Sequence, residues 1–342
     1  MSSEQHPVRM KFDIARQAFI PSFLTLAVLA AAAVYGPVAA AAAASAVPAV
    51  AGAVVDFRLP GEFLVLFQNS FPGWARALTC LLIIVTGIRT GHLTVRYNLY
   101  TTNTCIAIPL YGVLAGGLTA GAADLPMFVS ALFLILSIKN FCRSYSTSYA
   151  FDAIFRGALY LGILLILSPK ALPLILLLPL AVIHFHRTFR ELIVALTGLL
   201  LPVLLLCYVG WGLGNEFHAP LLALGEKLIA GQWLLFFVEL PFGVQLLGGA
   251  AVVLLIFAMQ YFYADLYAVS SKSRSILVYH LEILLLIAAV ASLPGATVSV
   301  FALAAVPLSA LLPLFFVRAH PGIAQPIYAL CLAGAACNMV LQ

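Results

Sequence analysis

The sequence predicts an all-α polytopic transmembrane bundle of about eleven spans, and three observations carry that expectation. The 342 residues include only 17 Lys and Arg and 12 Asp and Glu, so 8% are charged while 64% are hydrophobic. A soluble domain carries roughly a quarter charged residues, so the bilayer is this chain's main solvent. The charges also gather at the ends of apolar runs instead of alternating along them. Finally, the runs recur at lengths near the ~20 residues needed to cross a ~30 Å hydrocarbon layer.

Taken in order, the chain opens with Arg9, Lys11 and Arg16 ahead of an apolar run, and the small residues Ala44 to Ala46 resemble a signal-peptidase site. The run from Ala18 is longer than a signal core and its apolar tail reaches Val55, which predicts a retained first span over 18–40. Further spans are expected at 75–88, 104–121, 125–138, 153–167, 171–185, 192–211, 242–263, 275–292, 298–317 and 325–341. Between 153 and 185 the alternatives are one long helix or a hairpin turning at Ser168-Pro169-Lys170. Charge decides. With a hairpin, only Arg58, Arg76, Lys170 and Lys227 fall outside and every other Lys and Arg lies in short cytoplasmic segments, as the positive-inside rule requires. A continuous helix strands Lys170 in the hydrocarbon, at a cost of ~2.5 kcal/mol or more, whereas Pro169 cannot continue a helical hydrogen-bond ladder in any case. The amino terminus is then cytoplasmic and the carboxyl terminus external.

Two external loops follow, 41–74 and 212–241, both mixing charged with large apolar residues in the manner of segments lying on the membrane surface. No linker or soluble domain interrupts the chain, which reads as one integral-membrane domain over 1–342. The net charge of +5 comes from scattered residues with no continuous basic face, so a nucleic-acid partner is not expected. The lipid bilayer is the expected partner. The six cysteines lie within or beside apolar runs without metal-ligand or disulfide spacing and read as packing residues.

Several groups invite chemistry. Glu282 is the one acid well inside a span, and His280, two residues earlier, points to the opposite helix face, which reads as placement near the headgroups. His184 and His186 are spaced by two, not the four that suits a helical metal site, and no metal is expected there; Arg187 and Glu191 fit an i, i+4 pair. Arg89, His92 and Arg96, with Lys139 and Arg143, form cytoplasmic loops able to hold a lipid phosphate or simply to fix orientation. In the first external loop Asp56 and Glu62 are the candidate catalytic carboxylates. One would act as general base toward an acceptor hydroxyl, or hold a divalent cation against a lipid-linked phosphate. Arg58, Arg76, Lys170 and Lys227 are the cations that would meet that phosphate.

The stretches Arg96-Tyr97-Asn98, Phe151-Asp152-Ala153, Ser168-Pro169-Lys170-Ala171-Leu172-Pro173, Phe189-Arg190-Glu191-Leu192 and Leu201-Pro202 resemble an uncharacterised family of bacterial polytopic inner-membrane proteins, over most of the chain. That resemblance implies an inner-membrane location and no particular activity. The architecture is also similar to the GT-C class of membrane glycosyltransferases, through its cytoplasmic amino terminus, acid-bearing first external loop, short mid-chain hairpin and cationic turn before a proline-bearing span. This likeness implies a polyprenyl-phosphate sugar as substrate, Asp56 as catalytic acid and Glu62 as its second, with a divalent cation as the one conceivable cofactor. The class's usual acidic pair, Asp-x-Asp, is missing. Three functions stand at this point: handling of an envelope glycan or lipid-linked sugar, secondary transport of a small or lipid-like solute, and a non-enzymatic subunit of an envelope complex.

Overall fold

The computed structural model describes residues 14–37, 59–119, 124–145, 150–233, 236, 240–265 and 269–341, and every regular element among them is helical. In chain order these are α1 (Phe19–Tyr35), α2 (Pro60–Ser70), α3 (Pro72–Arg96), α4 (Ala107–Leu118), α5 (Leu125–Ser144) and α6 (Phe151–Leu167). A 3-10 segment, Pro169–Leu176, leads into α7 (Leu177–His184), followed by α8 (Phe189–Gly212), α9 (Ala219–Ile229), α10 (Phe242–Ala264) and α11 (Ser271–Ala291). The chain closes with α12 (Phe301–Leu311), α13 (Pro313–Arg318) and α14 (Pro321–Leu341).

Seven helical segments are long and apolar enough to cross a membrane: Pro72–Arg96, Leu125–Ser144, Phe189–Gly212, Phe242–Ala264, Ser271–Ala291, Val298–Arg318 and Pro321–Val340. The other expected spans coincide with the shorter helices α1, α4, α6 and the Pro169–His184 segment. Burial separates the bundle into centre and periphery. Every residue of α4 is buried, and 89% of the Val298–Arg318 window is, whereas the windows of α8, α10 and α14 are 28% buried. On α8 the exposed side chains include Leu200, Leu204, Leu205 and Tyr208. Large apolar groups turned outward along a whole helix are tolerable only where the surroundings are hydrocarbon.

Without a hydrophobic drive between helices in lipid, close contact depends on small residues. The α6–α8 contact shows this. A Cβ on Gly162 would stand 2.5 Å from the Leu199 carbonyl oxygen, and one on Gly198 2.7 Å from that of Phe155. Gly198 thus meets Phe155 and Ala158 while Gly162 meets Leu199 and Pro202, so α6 and α8 run parallel and the chain between them reverses direction. The reversal begins at Ser168, whose φ of −133° and ψ of 87° end α6 ahead of Pro169. The expected hairpin therefore forms, with its return strand beginning as a 3-10 helix containing Pro173 in place of the uniform α span expected over 171–185.

Two boundary expectations need correction. Arg89, His92 and Arg96 belong to the last turns of α3, and Lys139 and Arg143 to the last turns of α5, not to loops. Long cationic side chains can remain helical there because their apolar stems stay along the bundle while the charges reach the polar boundary.

Candidate functional site

Five chain segments converge at the end of the bundle where α2 and α9 lie. Helix α2 begins with Leu59 as N-cap and Pro60 in the first turn, and Glu62 folds back so that the Leu59 N–H donates to its Oε2 at 3.2 Å. That bond satisfies a backbone donor that the first turn leaves without a helical partner. Gly61 permits the docking of α2 on α6, since a Cβ there would stand 2.2 Å from the Leu167 carbonyl oxygen. The Gln68 side-chain oxygen accepts the Leu125 N–H at 3.0 Å and ties α2 to the start of α5. From α9, the Lys227 ammonium pairs with Glu62 Oε1. From the turn after α6, the Lys170 ammonium donates to the Gly295 carbonyl. Gly295, at φ 64°, is itself held by donation of its N–H to the Gln232 carbonyl at 2.8 Å.

These residues enclose a cavity of about 270 Å³ lined by Glu62, Asp124, Lys170 and Lys227 on its polar side and by Leu59, Val65, Pro126, Met127 and Leu167 on its apolar side. Asp124 occupies the N-cap position of α5. Burial pushes its carboxyl above the usual aspartate range, with the Ser299 hydroxyl pulling the other way. Burial likewise pushes the Lys227 amine below the usual lysine range. Glu62 and Lys227 occupy one another, with side chains 36% and 41% exposed, whereas among the described residues Lys170 has only a carbonyl partner and Asp124 no cationic one.

Of the six residues singled out in sequence, Glu62, Lys170 and Lys227 thus share one cavity. Arg76, half-buried on α3, does not line it. Asp56 and Arg58 lie outside the described residues. Asp124 was not anticipated; its signal was local, an Asp directly ahead of Leu125-Pro126 and an apolar run, which is an N-cap pattern. As to a divalent cation, both Glu62 oxygens are already engaged, which leaves Asp124 as the carboxylate open to one. Among the described residues no cluster of three or more His, Cys, Asp or Glu stands ready for a metal.

A second polar contact lies within the helices. His184 Nε2 sits 2.6 Å from Glu282 Oε1, joining α7 to α11 across 98 residues of sequence. This cross-helix partner could not be read from the spacing of His184 and His186 along the sequence. Glu282 is the twelfth residue of α11, near its middle and not close to its start. Its Oε2 is buried without a hydrogen-bond partner, as is His280 Nε2, while His280 Nδ1 pairs with the Ile276 carbonyl at 2.8 Å. The Arg187–Glu191 pair forms at 3.4 Å, and Glu191 also closes a capping box with Thr188 at the start of α8.

No family model, curated protein or solved structure matches the chain.

Proposed function

We propose that the chain is an integral inner-membrane protein of eleven spans that handles a lipid-linked sugar phosphate at the α2–α9 cavity, as a GT-C-like glycosyltransferase. The observation that carries this reading is the convergence of Glu62, Asp124, Lys170 and Lys227 on a single cavity whose remaining wall is mostly apolar, with Ser168 and Thr297 as further polar groups. A phosphate attached to a polyprenyl chain needs such a pairing: ammonium donors for the oxygens and a lipid-compatible surface for the tail. The orientation follows from charge. The opposite end of the bundle carries Arg96, Arg143, Arg187, Lys272 and Arg318, a cationic excess that belongs on the cytoplasmic side and leaves the cavity external.

Within this reading Lys170, which has no carboxylate partner among the described residues, holds the phosphate. Asp124 accepts the proton of the acceptor hydroxyl as that oxygen bonds to the sugar's anomeric carbon, and the polyprenyl phosphate departs with the electrons of the broken carbon–oxygen bond. Glu62 positions Lys227 and caps α2. Asp56 and Arg58 remain sequence candidates for the same external surface. The test is transfer from a polyprenyl-phosphate sugar by the full chain in proteoliposomes. Asp124→Asn and Lys170→Gln each lower the rate at least tenfold with unchanged protein recovery, and Asp56→Asn removes an envelope glycan in cells. Wild-type rates in both cavity variants would reject the reading.

One observation favours a second reading, proton-coupled transport: the half-buried His184–Glu282 pair, whose second carboxylate oxygen has no hydrogen-bond partner among the described residues. Glu282→Gln would then abolish acidification-driven solute uptake while leaving sugar transfer untouched. Uptake that survives the substitution removes this reading.

A further inference from the structure

The opposite end of the bundle contains a second polar cavity, of about 350 Å³, at the junction of the α3 carboxyl end and the α11 amino end. Its wall is formed by Arg96, Tyr97, Asn98, Thr101, Ser270 and Lys272. Local folding makes it rigid. Asn98 takes a φ of 46°, and the Ser273 hydroxyl bridges the carbonyls of Tyr97 and Asn98 at 3.1 Å each, fastening the turn after α3 to the first turn of α11. Ser270 caps that turn by accepting the Ser273 N–H at 3.2 Å.

No carboxylate lines this cavity among the described residues. Lys272 Nζ lies 4.8 Å from the Tyr97 ring centre and 5.6 Å from that of Tyr145, and the Arg96 guanidinium lies 6.0 Å from the Tyr97 ring. Aromatic faces steer an ammonium without neutralising it. Among the described residues neither Arg96 nor Lys272 has a carboxylate partner, and the Thr101 hydroxyl and Asn98 amide have no hydrogen-bond partner. Arg89, Arg96 and Arg143 moreover all lie within electrostatic range of Lys139 on the adjoining helix ends, so the field adds rather than cancels. The acid of the adjoining crevice, Asp265, is spent on Arg318 at 2.5 Å. That crevice shares Tyr100, Thr101 and Val269 with the cavity and continues as an apolar wall of Leu99, Phe262 and Leu314.

We infer that this cavity is a phosphate-group site. A guanidinium, an ammonium, a hydroxyl and an amide donor around one space match the several acceptor oxygens of a phosphate ester better than the two of a carboxylate. The level of the site, where helix ends meet the polar boundary, suits the phosphate of an anionic phospholipid; a free phosphate has the same head chemistry and lacks the tail.

Native mass spectrometry of the full chain, released from mixed micelles of phosphatidylglycerol and phosphatidylcholine, tests this. Wild type retains one phosphatidylglycerol in preference to phosphatidylcholine. The Arg96→Gln, Lys272→Gln double variant loses that preference by roughly thirtyfold, as about 1 kcal/mol per cation implies. Lys272→Arg restores it in an Arg96 background, and Arg190→Gln, a cation exposed on α8 outside the cavity, leaves it unchanged. Inorganic phosphate at millimolar concentration distinguishes the sources: failure to displace the lipid assigns the site to the headgroup, and displacement with a bound phosphate adduct assigns it to the free anion. Equal loss in Arg190→Gln would reduce the effect to general surface charge and overturn the site, as would retention undiminished in the double variant.

Discussion

The two ends of this bundle are built from the same few residue types and reach opposite electrostatic solutions. At the α2–α9 end two carboxylates and two amines line one cavity, and Glu62 holds Lys227 while Asp124 and Lys170 have no partner of opposite sign among the described residues. At the other end Arg96 and Lys272 both lie against the Tyr97 ring, and no acid lines their cavity among the described residues. The difference separates a place where a proton can be moved from one where a charge can only be held. A carboxylate raised by burial beside an ammonium has both a base and an anion site; a cation pair supplies the anion site alone.

The comparison breaks most severely at Gly61. A side chain there would collide with the Leu167 carbonyl, a backbone atom that cannot swing away, so Gly61→Val undocks α2 at a cost of about 1–3 kcal/mol. Thermal unfolding in detergent should register that loss, and sugar transfer should vanish while phosphatidylglycerol retention at the far end persists. Lys170→Gln is the next largest effect: removal of one charge-assisted bond to phosphate weakens polyprenyl-phosphate binding at least tenfold, on the order of 1.5–3 kcal/mol, without altering the melting temperature by more than a few degrees.

Asp124 sharpens the comparison through pH. Its folded-state carboxyl titrates above its unfolded value, so the native state holds the proton more tightly. The associated stability is complete below the unfolded aspartate range and is lost as pH rises through the raised folded value. Asp124→Asn should therefore melt higher than wild type at neutral pH and show a smaller decline as pH climbs out of the acid range, measured as melting temperature against pH. Smaller again is Thr188→Ala, which removes half of the capping box of α8 and costs about 1 kcal/mol by thermal melt, with neither cavity affected. Lys227→Gln ranks last. Its pair with Glu62 is more than a third exposed, so screening leaves about 0.2–1 kcal/mol, which high salt should erase.

Much of this arrangement was legible in the sequence because hydrocarbon imposes blunt rules. Runs of apolar residues marked the helices, the scarcity of Lys and Arg on one side marked the cavity end, and Pro169 beside Lys170 marked the reversal that the parallel α6 and α8 now require. Glu62, Lys170 and Lys227 were singled out for their side of the membrane, and they meet although 165 residues separate the Glu62–Lys227 pair. What escaped depended on packing between distant elements. Asp124 was not singled out, because its N-cap position is local while its place in the cavity depends on α2 and the Ser299 region packing beside it. Glu282 could be related to His280 by helical geometry, but its partner His184 comes from another helix, and no local spacing announces such a contact. The last turns of α3 and α5 read as loops because their charges look polar along the sequence, while their stems are apolar in space.

The decisive comparison is retention of a polyprenyl phosphate by the intact protein, read by native mass spectrometry in three versions: wild type, Lys170→Gln and Lys272→Gln. One molecule should remain on wild type and on Lys272→Gln and be lost from Lys170→Gln. Loss from Lys272→Gln with retention by Lys170→Gln, or no retention by wild type, would contradict the assignment of lipid-linked phosphate to the α2–α9 cavity.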